Sequence, residues 1–227
     1  MAQLSANDPI VILSYARTPM GGMQGVFSDV SATDLGATAI KAAVERAGVN
    51  GEEVDRVYMG CVLPAGLGQA PARQATIKAG LPKSVQATTV NKVCGSGMQT
   101  LIMGAEALAA GTVDLVIAGG MESMTNAPYV LKKHRSGARI GHDTAYDHMF
   151  LDGLEDAYEP GRAMGTFAQE TADARQRGQV NTGQRRFSWW LKRGCDSGRV
   201  GLTTDRTPWN RYTRRTALRF CSTILGL

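Results

Sequence analysis

The residues best suited to chemistry lie together in Asn91-Lys-Val-Cys94-Gly-Ser-Gly-Met98. Before them, Val85 to Val93 reads as a strand. After them, Met98, Leu101, Ile102, Ala105, Leu108 and Ala109 recur at helical spacing as far as Gly111. Cys94 therefore falls at a strand-to-helix junction, where Gly95 and Gly97 would let the backbone turn sharply without Cβ clashes. The free amides and positive end of the following helix would face the sulfur, and both favour thiolate over thiol, the better nucleophile at neutral pH. The same amides could bind a carbonyl oxygen that gains negative charge. A lone cysteine in an apolar setting is also commonly a small packing residue. On residue type and spacing alone, the two readings stand level.

Other chemistries lack their signatures. No Gly-x-x-x-x-Gly-Lys-[Ser/Thr] loop occurs, Gly95-x-Gly97 is not followed by glycine at 100, and Cys94 sits two places before Ser96 where a Gly-x-Ser-x-Gly elbow would need glycine. His134, His142 and His148 form no ligand motif and read as solvated loop residues, so no metal site is expected. The cysteines at 61, 94, 195 and 221 contain no Cys-x-x-Cys pair. That argues against a disulfide scaffold or a structural zinc and suits a reducing, cytoplasmic setting.

The elements that must position Cys94 alternate strand and helix. Pro9 to Ser14 reads as a buried strand. Ser31-Ala-Thr-Asp34 resembles a capping box, followed by Leu35, Ile40, Ala43, Val44 and Ala47 at helical spacing and stopped by Gly48. Val54 to Val62 is a second strand, with Val57 and Met59 alternating against Arg56 and Tyr58. A short helix covers about Ala70 to Ala79, and Val113 to Ala118 is a fourth strand broken by Gly119-Gly120. The order βαβαβαβ implies an α/β fold of mainly parallel strands between helices. The Met98–Ala110 helix carries only Glu106 as a charge and is expected to be buried on most sides. Residues 134–159 look like a long excursion, with a helix restarting near Met164.

Composition breaks near Asp173. The 227 residues, at 43% hydrophobic and 20% charged, suit a soluble globular protein, and no apolar run approaches a membrane span. The N-terminus does not read as a secretory signal. Residues 1–173 hold 13 basic and 18 acidic side chains, whereas residues 174–227 hold 12 and 2. That tail takes eleven of its cations as arginine and contains Trp189, Trp190 and Trp209. It reads as a frame-shifted translation of a GC-rich gene, because Arg, Gly and Trp codons are rich in G. A disordered extension and a nucleic-acid arm, with Arg on phosphate and Trp on bases, are the alternatives.

The stretch Val90-Asn-Lys-Val-Cys-Gly-Ser-Gly-Met-Gln-Thr-Leu101 resembles the nucleophile signature of the thiolases, the acetyl-CoA acetyltransferases and acyltransferases. Tyr15-Ala-Arg-Thr-Pro, Met59-Gly-Cys-Val-Leu, Gly66-Leu-Gly-Gln-Ala-Pro-Ala-Arg73-Gln and Ala118-Gly-Gly-Met-Glu-Ser-Met match in the same order. The resemblance covers about residues 8–173. It implies a layered α/β/α fold with a mixed, mainly parallel sheet. Residues 1–122 would be the N-terminal α/β domain, 123–173 the start of the family's loop domain, and 174–227 a basic tail outside the family, expected to be disordered.

The resemblance also implies a two-step exchange of acyl groups between coenzyme A thioesters, in which Cys94 is acylated and coenzyme A leaves. Condensation of two acetyl-CoA, or cleavage of a 3-ketoacyl-CoA, would follow. Leu154 and Met164 match positions lining the pantetheine channel, although Ala163 stands where some thiolases have histidine. Acetyl-CoA or acyl-CoA would be substrate, with no resident cofactor, and full-length members associate as homo-oligomers. The family's Gly-His-Pro histidine and Cys-x-Gly cysteine have no match among His134, His142, His148, Cys195 and Cys221. A truncated thiolase, inactive alone and with no nucleic-acid or membrane partner, is thus the first expectation. A non-enzymatic protein with an Arg-rich nucleic-acid-binding tail is the alternative.

Overall fold

The computed structural model describes residues 10–174 and 217–222. In chain order the elements are β1 (Val11–Ala16), α1 (Ala32–Ala47), β2 (Arg56–Gly60), α2 (Pro71–Lys78), β3 (Gln86–Val90), α3 (Ser96–Ala109), β4 (Leu115–Gly120), β5 (Tyr129–Leu131), β6 (Ala145–Asp147), α4 (Met164–Ala174) and β7 (Ala217–Ser222). Five strands form one sheet in the order β1-β7-β4-β2-β3, and every pairing in it is parallel. β5 and β6 make a separate antiparallel pair. The described residues fall into two compact units, one running to Gly153 and taking in β7, the other beginning at Leu154.

Alternation along the central strands builds a core on each face of the sheet. Val57 and Met59 of β2 and Leu115 and Ile117 of β4 pack with Ile40 of α1 and Ala72 and Ala75 of α2. Tyr58, Val116 and Ala118 face the other way and pack with Ala107 and Leu108 of α3. Tyr58, which alternates against Val57 and Met59, thus belongs to a second core, and the three-layer arrangement follows.

α1 starts where expected, but its cap differs. Ser31 Oγ accepts from the Asp34 amide at 3.2 Å, while the Asp34 carboxylate takes the Ser31 hydroxyl at 2.5 Å and Lys78 Nζ at 2.7 Å instead of a backbone N–H. The Lys78 ammonium, with Ser31 second, holds that carboxyl below its ordinary value.

Two expectations require correction. α3 is not buried on most sides: Met98 is 64% and Ile102 44% exposed, one turn apart on the same face. Only the face carrying Ser96, Thr100, Gly104, Ala107 and Leu108 is covered by the sheet. The second concerns the tail. Residues 175–216 and 223–227 lie outside those described, but Ala217–Ser222 is not a free extension. It enters the sheet as β7, with Ala217 opposite both Val11 and Leu115. The gap between β1 and β4 leaves two rows of backbone donors and acceptors that a single strand satisfies together. Among the described residues, no helix is long and apolar enough to cross a membrane.

Candidate active site

Cys94 lies between β3 and α3, one residue before Gly95, the N-cap of α3. Its side chain is exposed and its thiol unpaired. The first amides of a helix have no intrahelical partners; here Gly95 N donates to the Lys92 carbonyl and Ser96 N to the Val93 carbonyl, each at 3.0 Å.

The turn that presents it is made differently from the sequence expectation. Gly95 has φ −85°, and Gly97 is not among the residues with positive φ. The left-handed residue is Val93, at φ 46°. A β-branched side chain there is unfavourable, and such a conformation persists only when its surroundings hold it. They do so on both sides. The Val93 N–H donates to Asn91 Oδ1 at 2.9 Å. The Val93 carbonyl accepts from Ser96 Oγ at 2.6 Å and from Ser96 N at 3.0 Å. Ser96 Oγ also accepts from Lys92 N at 2.8 Å, closing the loop on itself.

The glycine with a steric role is Gly60, at the end of β2. A Cβ there would come within 2.8 Å of the Ser96 carbonyl carbon and of Ser96 Cβ, and 2.9 Å of Gly97 N. The start of α3 therefore rests directly on the β2 backbone. Thr100 adds a tie to β4, its Oγ1 donating to the Gly119 carbonyl at 2.9 Å.

A buried polar cluster, which residue types alone did not single out, lies at the same end of the sheet. The Glu122 carboxylate, just past β4, accepts from Val62 N at 2.7 Å, Leu63 N at 3.1 Å and Cys61 Sγ at 3.7 Å. Both Cys61 and Glu122 are buried. Burial, reinforced by Glu122, pushes the Cys61 thiol up to about 12. His148 corrects the solvated-loop reading. It is 5% exposed, with Nδ1 2.5 Å from Asp152 Oδ2 and Nε2 accepting from Ala65 N at 3.4 Å. The Asp152 partner four residues on was the available signal.

Burial raises the Glu122 carboxyl above its ordinary value near 4.5, against the Val62 and Leu63 amides that pull it down. The native state then holds the proton more readily than the unfolded chain does. Stability from this group is full below about 4.5 and declines as pH rises through the folded value. The melting temperature of wild type minus that of E122Q, which does not titrate, should therefore fall as pH rises above about 4.5. A constant or rising difference in thermal melts would contradict this.

Leu154 and Met164 lie in the second unit. Leu154 closes one wide helical turn, Phe150–Leu154, and is half-buried, while Met164 opens α4 and is 43% exposed. A bridge between their neighbours Glu155 and Ala163 brings the two segments alongside.

The site thus joins a parallel sheet between helices to an exposed cysteine at a helix start, with Gly60 beneath the turn. A family profile described as Thiolase, N-terminal domain, matches residues 10–178, and the chain belongs to that family. The acetyl-CoA acetyltransferase of Schizosaccharomyces pombe is 48% identical over 167 residues, 74% of this chain and 42% of the relative. The acetyl-CoA acetyltransferase of Cupriavidus necator is 52% identical over 149 residues, 66% of this chain and 38% of the relative. The crystal structure of the Acat5 thiolase of Ascaris suum in complex with coenzyme A superposes with a TM-score of 0.71 at 38% identity, covering 74% of this chain and 44% of that one. The chain thus spans about two fifths of the length of the curated relatives it matches.

Proposed function

We propose that Cys94 is an acyl-accepting nucleophile for coenzyme A thioesters, in the manner of an acetyl-CoA acetyltransferase. The observation that carries this is the exposed Cys94 thiol at the start of α3, on a turn held by hydrogen bonds around a left-handed Val93. In the step proposed, the Cys94 thiolate attacks the thioester carbonyl carbon and a new C–S bond forms. The bond to the coenzyme A sulfur breaks, and coenzyme A leaves with a proton from solvent. Amides at the helix start would hold the oxyanion between these events.

The reading places Leu154 and Met164 along the pantetheine arm and calls on no resident cofactor, since coenzyme A enters and leaves with substrate. Self-association is part of it, supported by the uncovered Met98 and Ile102. So is a cytoplasmic location, supported by the unpaired thiols of Cys61 and Cys94. One relative, from Gibberella zeae, is named cytosolic, although another, from Xenopus tropicalis, is named mitochondrial. No nucleic-acid partner is proposed.

Incubation of the purified chain with acetyl-CoA, followed by peptide mass spectrometry, tests the assignment. The Cys94 peptide should gain one acetyl group, the Cys61 peptide none, and C94S should abolish the signal. Burial and the high Cys61 proton affinity make the second thiol a matched internal control. Acetylation of Cys61 at an equal rate, or none at Cys94, would refute the assignment.

A further inference from the structure

Cys94 depends on a conformation that valine disfavours, so something must hold Val93 at φ 46°. Asn91 is placed to do so. Its Oδ1 accepts from Val93 N at 2.9 Å, and its Nδ2 donates to the Val62 carbonyl at 3.3 Å. Val62 is in turn fixed from its other side, since its N–H donates to the buried Glu122 carboxylate at 2.7 Å. The Val90 carbonyl accepts from Cys61 N at 3.0 Å, so the residues just before Asn91 and Val62 continue the β2–β3 pairing. One amide side chain thereby joins the strained turn to the backbone after β2, which Glu122 anchors.

We propose that Asn91 is the positioning residue of the Cys94 nucleophile, holding Val93 left-handed and tying that turn to the Val62 carbonyl. The proposal rests on the reading of Cys94 as nucleophile and adds a residue that touches no reacting atom. Without Asn91 the Val93 amide loses its acceptor, the turn relaxes towards ordinary backbone, and the presentation of the Cys94 thiol changes with it.

The test is the rate at which iodoacetamide labels Cys94 in the full chain, followed on the Cys94 peptide. This reagent needs no recognition of coenzyme A, so failure of acetylation by acetyl-CoA and failure of this proposal are separate results. N91A should slow labelling by about two- to tenfold, the scale of losing one net hydrogen bond that holds the reactive turn. N91S, whose hydroxyl can accept from the amide two residues on but is too short for Val62, should restore part of the rate. In a V93G background, where left-handed backbone carries little penalty, N91A should slow labelling less than it does beside valine.

D55A controls for general destabilisation. Asp55 accepts from Asp114 N at 2.7 Å and Leu115 N at 2.9 Å at the opposite end of the sheet, and its loss should lower the melting temperature without slowing Cys94. Wild-type labelling in N91A, equal slowing in D55A, or equal effects of N91A beside valine and glycine would each overturn the proposal.

Discussion

Given acetoacetyl-CoA and free coenzyme A, the purified 227-residue chain is expected to form no acetyl-CoA beyond the C94A background. Cleaving or joining a carbon–carbon bond requires a proton to move at the α-carbon as well as an acyl acceptor. On the proposed reading Cys94 is the acceptor, and among the described residues none is placed as the second acid or base. Cys61 is buried with its thiol pushed up to about 12, and His148 is buried with both ring nitrogens engaged. General acid–base groups contribute about 10²–10⁴-fold each, so their absence removes turnover while leaving slow acylation intact. The measurement is thioester absorbance with wild type and C94A in parallel. Cys94-dependent turnover at about 1 per second or faster, an ordinary enzyme rate, would show that the chain carries its own base.

Gly60→Ala is expected to have the largest effect of any single methyl group added near the site. Its Cβ would meet the Ser96 carbonyl carbon and Cβ at 2.8 Å and Gly97 N at 2.9 Å. These are mostly backbone atoms and cannot swing aside. Either α3 lifts from β2 or the turn around Cys94 distorts, at a cost of about 1–3 kcal/mol for an overpacked site. G60A should therefore melt lower than wild type, and acetylation of Cys94 by acetyl-CoA should be lost before the fold is. An addition at Gly97, where the nearest atom is Gly120 N at 3.9 Å, should be tolerated far better. Equal melting and acetylation in G60A and G97A would contradict this account.

What the sequence disclosed depended on whether the signal was local. The run of α1 with its Gly48 stop, the strands around Val57 and Ile117, and the Cys94 junction all follow from patterns of a few residues. The helix beginning at Met164 followed in the same way. Where the answer depended on what packs across the sheet, local pattern failed. Gly95 and Gly97 looked like the reason for the turn, yet the unusual backbone belongs to Val93 and the needed glycine is Gly60, some 35 residues earlier. His148 looked solvated because its Ala65 partner lies 83 positions away, and the Asp152 partner four residues on was the one local sign. Glu122 and Cys61 stood inside motifs that carried the family resemblance, but their contact spans 61 positions of chain. The apolar run at Ala217 was visible, and its place between β1 and β4 was not.

That place has a consequence for how the chain is made. β1 is synthesised before β7, with roughly 200 residues between them. Until β7 arrives, β1 has no strand partner among the described residues and packs on α1, and the inner edge of β4 is open. Pairing across so long a stretch of chain carries a large closure entropy and comes late in folding. During that interval two parallel-strand edges lie unpaired, the condition under which nascent chains pair with one another instead of with themselves. The sheet's middle is thus the last part of it to be finished, and the yield of native protein depends on how long that gap stays open.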